Sequence, residues 1–145
     1  MTIHSLCSYA FAFLIAFKIL RYSFITACGE SRILLPKQSK IIIYPGHSKG
    51  TYFPNVQCSW TFTTQTTLWF KISIDTLNIE TSSGCSKDFL LIGNTTRLCG
   101  TIYNKDIIFQ QNIIHIAFRS DGDSEKTGFI LSVTAVGMIA NVFLL

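Results

Sequence analysis

Leu68-Trp69-Phe70-Lys71-Ile72-Ser73-Ile74-Asp75 sets a large apolar side chain at every second position. A strand turns successive side chains to opposite faces, so this stretch reads as a half-buried β-strand with Leu68, Phe70, Ile72 and Ile74 inward. Outward from it the same period of two returns. Ile114, Ile116 and Phe118 alternate with His115 and Ala117. Trp60 and Phe62 stand in a run rich in threonine and aromatics, which is strand-like. Phe89-Leu90-Leu91-Ile92 is a short apolar run closed by the turn signal Gly93-Asn94, and Gly128 to Val133 reads as a further strand that ends by about Ala135. No window holds a helical period between caps. Short strands separated by turn signals predict an all-β sandwich or barrel.

The chain has 145 residues, enough for one domain of modest size. It is 48% apolar and 14% charged, and the apolar excess sits partly at the two ends. Cys7 to Phe17 (CSYAFAFLIAF) is uncharged, has the length of a secretory h-region and is too short to span a bilayer. Ile25-Thr26-Ala27 offers a small residue for cleavage, so residues 1–27 are read as a signal peptide. The flanks are unusual: no Lys or Arg precedes the apolar run, and Lys18 and Arg21 follow it. Removing this segment lowers the net charge from +4 to +2, because those two cations leave and no acid does. The remaining basic residues are scattered singly, which excludes a nucleic-acid footprint. Phe129 to Leu145 carries no charge. With the last strand ending near Ala135, residues 136–145 form an apolar tail. It is too short for a membrane span and lacks the polar spacer of a lipid-anchor signal, so no membrane association is expected.

Cys28, Cys58, Cys85 and Cys99 remain in the mature chain, an even number that predicts two disulfides in an oxidising compartment. Four cysteines allow three pairings. The sequential one would close loops of about 30 and about 15 residues, each contributing roughly 3–4 kcal/mol in the chain-entropy picture. There is no CxxC pair, and His47 and His115 lack HxxxH spacing, which argues against zinc. With the cysteines committed to disulfides and His115 on a strand, no catalysis is expected. Pro45 to Asn55 is a turn-rich loop, and Asn94-Thr95-Thr96 is a glycosylation sequon on a predicted turn. Trp60 is read as a packing residue, whereas Trp69 falls on the face opposite Phe70.

An ordered set of short motifs spans most of the chain. Cys28-Gly29 leads to Phe53-Pro54-Asn55, Cys58-Ser59-Trp60, Phe70 and Leu77-Asn78-Ile79-Glu80. Cys85-Ser86-Lys87-Asp88-Phe89-Leu90 and Leu98-Cys99-Gly100 follow, then Ile116-Ala117-Phe118-Arg119-Ser120-Asp121 and Thr127-Gly128-Phe129. Over about residues 28–135 the chain resembles a CUB domain. The resemblance implies a jelly-roll-like antiparallel β-sandwich with disulfides Cys28–Cys58 and Cys85–Cys99. It departs from the family at Phe53-Pro54, where Tyr-Pro is frequent, and at Lys87-Asp88, where Tyr often precedes the Asp. Tyr52, or the earlier Tyr44-Pro45, is left to supply the missing hydroxyl.

The resemblance also implies one Ca²⁺ at one end of the sandwich, held by Glu80, Asp88 and Asp121, with Asp123 offering a backbone carbonyl and Ser124 a further ligand. Calcium takes six to eight hard oxygen donors, and three converging carboxylates would otherwise repel one another. In the family these acids also receive a Lys or Arg from the partner through charge-assisted hydrogen bonds. Tyr52, Phe53, Glu80, Asp88 and Asp121 are therefore the expected partner-binding residues, and the Cys85–Cys99 bridge is expected to brace the loop between Glu80 and Asp88. The reading is a secreted, extracellular module that binds a protein presenting Lys or Arg in a calcium-dependent way. The alternatives are a calcium-independent glycan- or lipid-binding adhesin of the spermadhesin kind, working through exposed aromatics, or one piece of a larger secreted protease or receptor.

Overall fold

The computed structural model describes residues 28–44 and 50–137. The signal segment 1–27, loop residues 45–49 with His47, and the tail from 138 lie outside the described residues. Among the described residues nine strands follow in chain order: β1 (Glu30–Ile33), β2 (Ser39–Tyr44), β3 (Gln57–Thr63), β4 (Leu68–Ile79), β5 (Phe89–Ile92), β6 (Thr96–Leu98), β7 (Gly100–Phe109), β8 (Ile113–Arg119) and β9 (Gly128–Gly137). They form two sheets, one ordered β1-β3-β8-β5-β6 and the other β2-β9-β4-β7. The architecture is the all-β two-sheet sandwich of the CUB kind implied by the motifs, and both disulfides join Cys28 to Cys58 and Cys85 to Cys99.

One pair is parallel rather than antiparallel: β1 lies beside β3 with Glu30 opposite Trp60. The first disulfide accounts for the direction. Cys28 lies just before β1 and Cys58 near the start of β3, so both strands leave the same bridge and run the same way.

Alternation builds the core. Cys58, Trp60 and Phe62 of β3, Leu90 and Ile92 of β5, and Ile114, Ile116 and Phe118 of β8 are buried from one sheet. Phe70, Ile72 and Ile74 of β4 and Phe129, Leu131, Val133 and Ala135 of β9 meet them from the other. The period of two breaks once in β4, where the register shifts between Ile74 and Thr76. A bulge inserts one residue and resets the phase, so Leu77 and Ile79 face inward although Ile74 also does. Strand β9 runs to Gly137, past the expected end at Ala135, because β4 begins at Leu68 and offers Trp69 and Leu68 as backbone partners to Val136 and Gly137.

Candidate metal centre

Three strand ends converge at one end of the sandwich. Glu80 follows β4 directly, Asp88 precedes β5 directly, and Asp121 comes just after β8. Strands β5 and β8 are neighbours in one sheet and β4 belongs to the other, so the group bridges the two layers. Each of these acids brings one carboxylate oxygen within 4.8 Å of the other two. Between Glu80 and Asp88 the chain makes a 3-10 turn, Ser83–Cys85, in which Gly84 and Cys85 both take left-handed backbone angles (φ 61° and 49°). Such angles are uncommon for a residue with a Cβ. Here the bridge to Cys99, next to the start of β7, anchors the reversal.

Tyr52 organises the group from beneath. Its hydroxyl donates to Asp88 Oδ2 at 2.5 Å and accepts from the Glu80 backbone N–H at 3.1 Å. Burial, reinforced by the bond to Asp88, pushes the phenol pKa far above its usual value, so it remains a donor. Tyr52 is 1% exposed, whereas Phe53 is 71% exposed. Tyr52 therefore holds the acids and offers a partner almost no surface, while Phe53 carries the open apolar surface. This assigns the family's missing tyrosine hydroxyl to Tyr52, not to Tyr44, whose ring lies in the aromatic core against Phe118 and Phe129.

Asp88 is fully buried, and its other oxygen, Oδ1, accepts the Asp121 backbone N–H at 2.7 Å. Asp121 Oδ1 accepts the backbone N–H of Asp123 at 3.0 Å. Asp123 thus touches the group through its main chain and stays outside the three converging carboxylates. Ser124 takes a left-handed backbone angle (φ 65°) in the same turn.

Two residues of the motifs to which the sequence assigned no role complete the scaffold. Buried Ser120 donates its hydroxyl to the Phe53 carbonyl at 2.8 Å and accepts the Val56 N–H at 3.0 Å, tying the Tyr52 loop to β8. Asn55 N–H donates to the Asp121 carbonyl at 2.6 Å. The adjacency of Ser120 to Asp121 and of Asn55 to Phe53-Pro54 was the available signal.

A buried carboxylate oxygen without a partner is destabilising. Glu80 is 7% exposed; its Oε1 accepts the Lys87 ammonium at 2.6 Å, and its Oε2 is buried with no hydrogen-bond partner among the described residues. The bond to Glu80 raises the Lys87 pKa and keeps that ammonium charged. An all-carboxylate oxygen set with an orphaned buried oxygen fits a hard cation such as Ca²⁺ and not zinc, which favours nitrogen and sulfur.

Other expected positions lie elsewhere. Asn94 is exposed in the turn between β5 and β6. Trp60 is buried between Tyr44 and Phe129, Trp69 is half-buried on the outer face, and exposed His115 bonds Thr61 Oγ1 at 3.0 Å. Gly46-His47-Ser48-Lys49-Gly50 has the spacing of a nucleophile elbow. Residues 46–49 of it lie outside the described residues. Among the described residues no helix is long and apolar enough to cross a membrane.

Comparison with known proteins agrees with this anatomy. The CUB domain family matches residues 28–132. Human cubilin is 32% identical over 118 residues, which cover 77% of this chain and 3% of cubilin. Embryonic protein UVS.2 of Xenopus laevis is 28% identical over 116 residues, covering 75% of this chain and 22% of that protein. The chain thus spans a small part of the length of these relatives. Among solved structures, the CUB1-EGF-CUB2 domains of rat MASP-1 superpose with a TM-score of 0.62 at 21% identity, covering 74% of this chain and 43% of that one. The MASP-1 CUB2 domain bound to Ca²⁺ gives 0.58 at 26% identity, covering 68% of this chain and 95% of that one. By its matched residues, its two-sheet sandwich and its paired cysteines, this chain belongs to the CUB domain family and is a binding module of that kind.

Proposed function

We propose that this module binds an extracellular protein partner in a calcium-dependent way through the Glu80–Asp88–Asp121 end. The observation that carries the reading is the orphaned Oε2 of Glu80, a buried residue whose carboxylate converges with two others. One Ca²⁺ held by Glu80, Asp88 and Asp121 relieves that penalty, with the Asp123 carbonyl and Ser124 as further ligands from the adjoining turn. The calcium in the related MASP-1 CUB2 domain supports this assignment. The ion also pins the ends of β4, β5 and β8 and leaves acidic oxygens to accept a Lys or Arg of the partner. Exposed Phe53 supplies apolar contact beside them. The two disulfides support secretion, where such bonds persist.

Calorimetric titration of Ca²⁺ into the protein tests the reading. One ion bound per chain, and none in Asp121→Asn, is the expected result. No heat and no saturable binding in the unsubstituted protein would overturn it.

A further inference from the structure

Lys87 lies at the edge of the acid group, and its position is closely defined. Its Nζ lies 2.6 Å from Glu80 Oε1. Its backbone N–H donates to Ser82 Oγ at 3.2 Å, and its neighbours in sequence are fully buried Asp88 and the turn closed by the Cys85–Cys99 bridge. The stem is therefore tethered at the mouth of the acid group. Water reaches the head, because the Lys87 side chain is 46% exposed while that of Glu80 is 9% exposed. Asp121 and Asp123 also attract the same ammonium.

We infer that Lys87 is a built-in cation of the acid group, which competes with calcium and with the partner's cation for Glu80 and so sets the calcium concentration at which the module becomes competent to bind. The inference rests on the calcium reading above. With the ammonium seated on Glu80, the three carboxylates present a smaller net negative charge to an arriving divalent ion, and one Glu80 oxygen is already engaged. Calcium then enters by sharing Glu80 through Oε2 or by releasing Lys87 to water. A partly exposed ion pair is weak, worth a factor of about two to five in an equilibrium. Lys87 therefore tunes the site rather than blocking it. A partner's Lys or Arg must likewise displace an ammonium already in place, which favours partners that bring a guanidinium able to bridge two carboxylates.

The test is a calorimetric calcium titration of the unsubstituted protein, Lys87→Met and Lys87→Arg at one ionic strength. The expected result is one ion per chain in each, with Lys87→Met binding about two- to five-fold more tightly and Lys87→Arg, which keeps the charge, close to the unsubstituted protein. Calcium binding by all three with Lys87→Met no tighter would overturn the inference and leave the calcium reading standing. Binding by none would overturn both. Binding by Lys87→Met alone would mean that Lys87 blocks the site instead of tuning it, and would overturn both the inference as stated and the calcium reading for the natural sequence. Should Lys87→Met not unfold cooperatively in EDTA, Lys87→Gln is titrated in its place with the same expectations.

Discussion

The aromatic interior and the acid end are built on opposite terms, although they share a residue. Around Phe118, the rings of Tyr44, Tyr52 and Phe129 lie with centroids 5.0 to 5.6 Å away, and Trp60 joins through Tyr44 and Phe129. Burial of apolar surface is non-directional, and each ring has several neighbours. The acid end has few bonds, all directional, and like charges drawn together. Tyr52 spans both: its ring packs edge-on at 5.0 Å from Phe118 and its hydroxyl holds Asp88 and the Glu80 backbone. The difference teaches that the interior makes the fold, while the acid end gathers three carboxylates and leaves Glu80 Oε2 without a hydrogen-bond partner among the described residues.

Substitutions can separate the two regions, and their expected effects differ in size. Phe118→Ala empties the centre of the interior and should lower stability by about 3–5 kcal/mol, read as a shift in the urea midpoint whether or not calcium is present. Replacing Cys85 and Cys99 together by serine opens a short loop and should cost about 3 kcal/mol. Because that bridge anchors the turn between Glu80 and Asp88, calcium affinity should fall with it. A folded double variant with unchanged affinity would separate the brace from the site. Tyr52→Phe keeps the ring and removes the hydroxyl, leaving two buried hydrogen bonds unmade at a cost of about 1–3 kcal/mol. Its calorimetric calcium affinity should drop while its near-ultraviolet dichroism, which reports the packed rings, changes little. Smallest is Asn94→Gln: the side chain is exposed in a turn, so stability should move by less than about 0.5 kcal/mol, and loss of the sequon should lower the mass of protein expressed through a secretory pathway by one glycan.

The same contrast governs what was legible in the sequence. Sequence patterning picks out β3, β4, β5, β8 and β9, by period-two alternation in β4 and β8 and by other strand signals in the rest, and these are the interior strands of the two sheets. It misses β1, β2, β6 and β7, which are the four edges. An edge strand borders solvent along one side, so its alternation is diluted: β7 reads Gly-Thr-Ile-Tyr-Asn-Lys-Asp-Ile-Ile-Phe, and only Phe109 is buried. The bulge in β4 is invisible for a related reason, since nothing in Ile74-Asp75-Thr76-Leu77 states that the phase resets. At the acid end the three carboxylates were legible through the family resemblance that the motifs carry. Tyr52 was legible only as one of two candidates for the missing hydroxyl, because a hydroxyl reaching two strand ends depends on a loop path that local sequence does not specify. Lys87 registered as a departure, and its contact with Glu80 emerges only once the turn at Gly84-Cys85 folds the chain back.

The central claim is that the Glu80–Asp88–Asp121 end demands a cation, and thermal unfolding with and without calcium tests it most directly. The unsubstituted protein and Asp121→Ala are each melted in EDTA and in millimolar Ca²⁺. With calcium about ten-fold above its dissociation constant, mass action adds about 1.4 kcal/mol, so the unsubstituted midpoint should rise by about 5 °C or more. The Asp121→Ala midpoint should be the same in both buffers. Equal midpoints for the unsubstituted protein in EDTA and in calcium would contradict the claim.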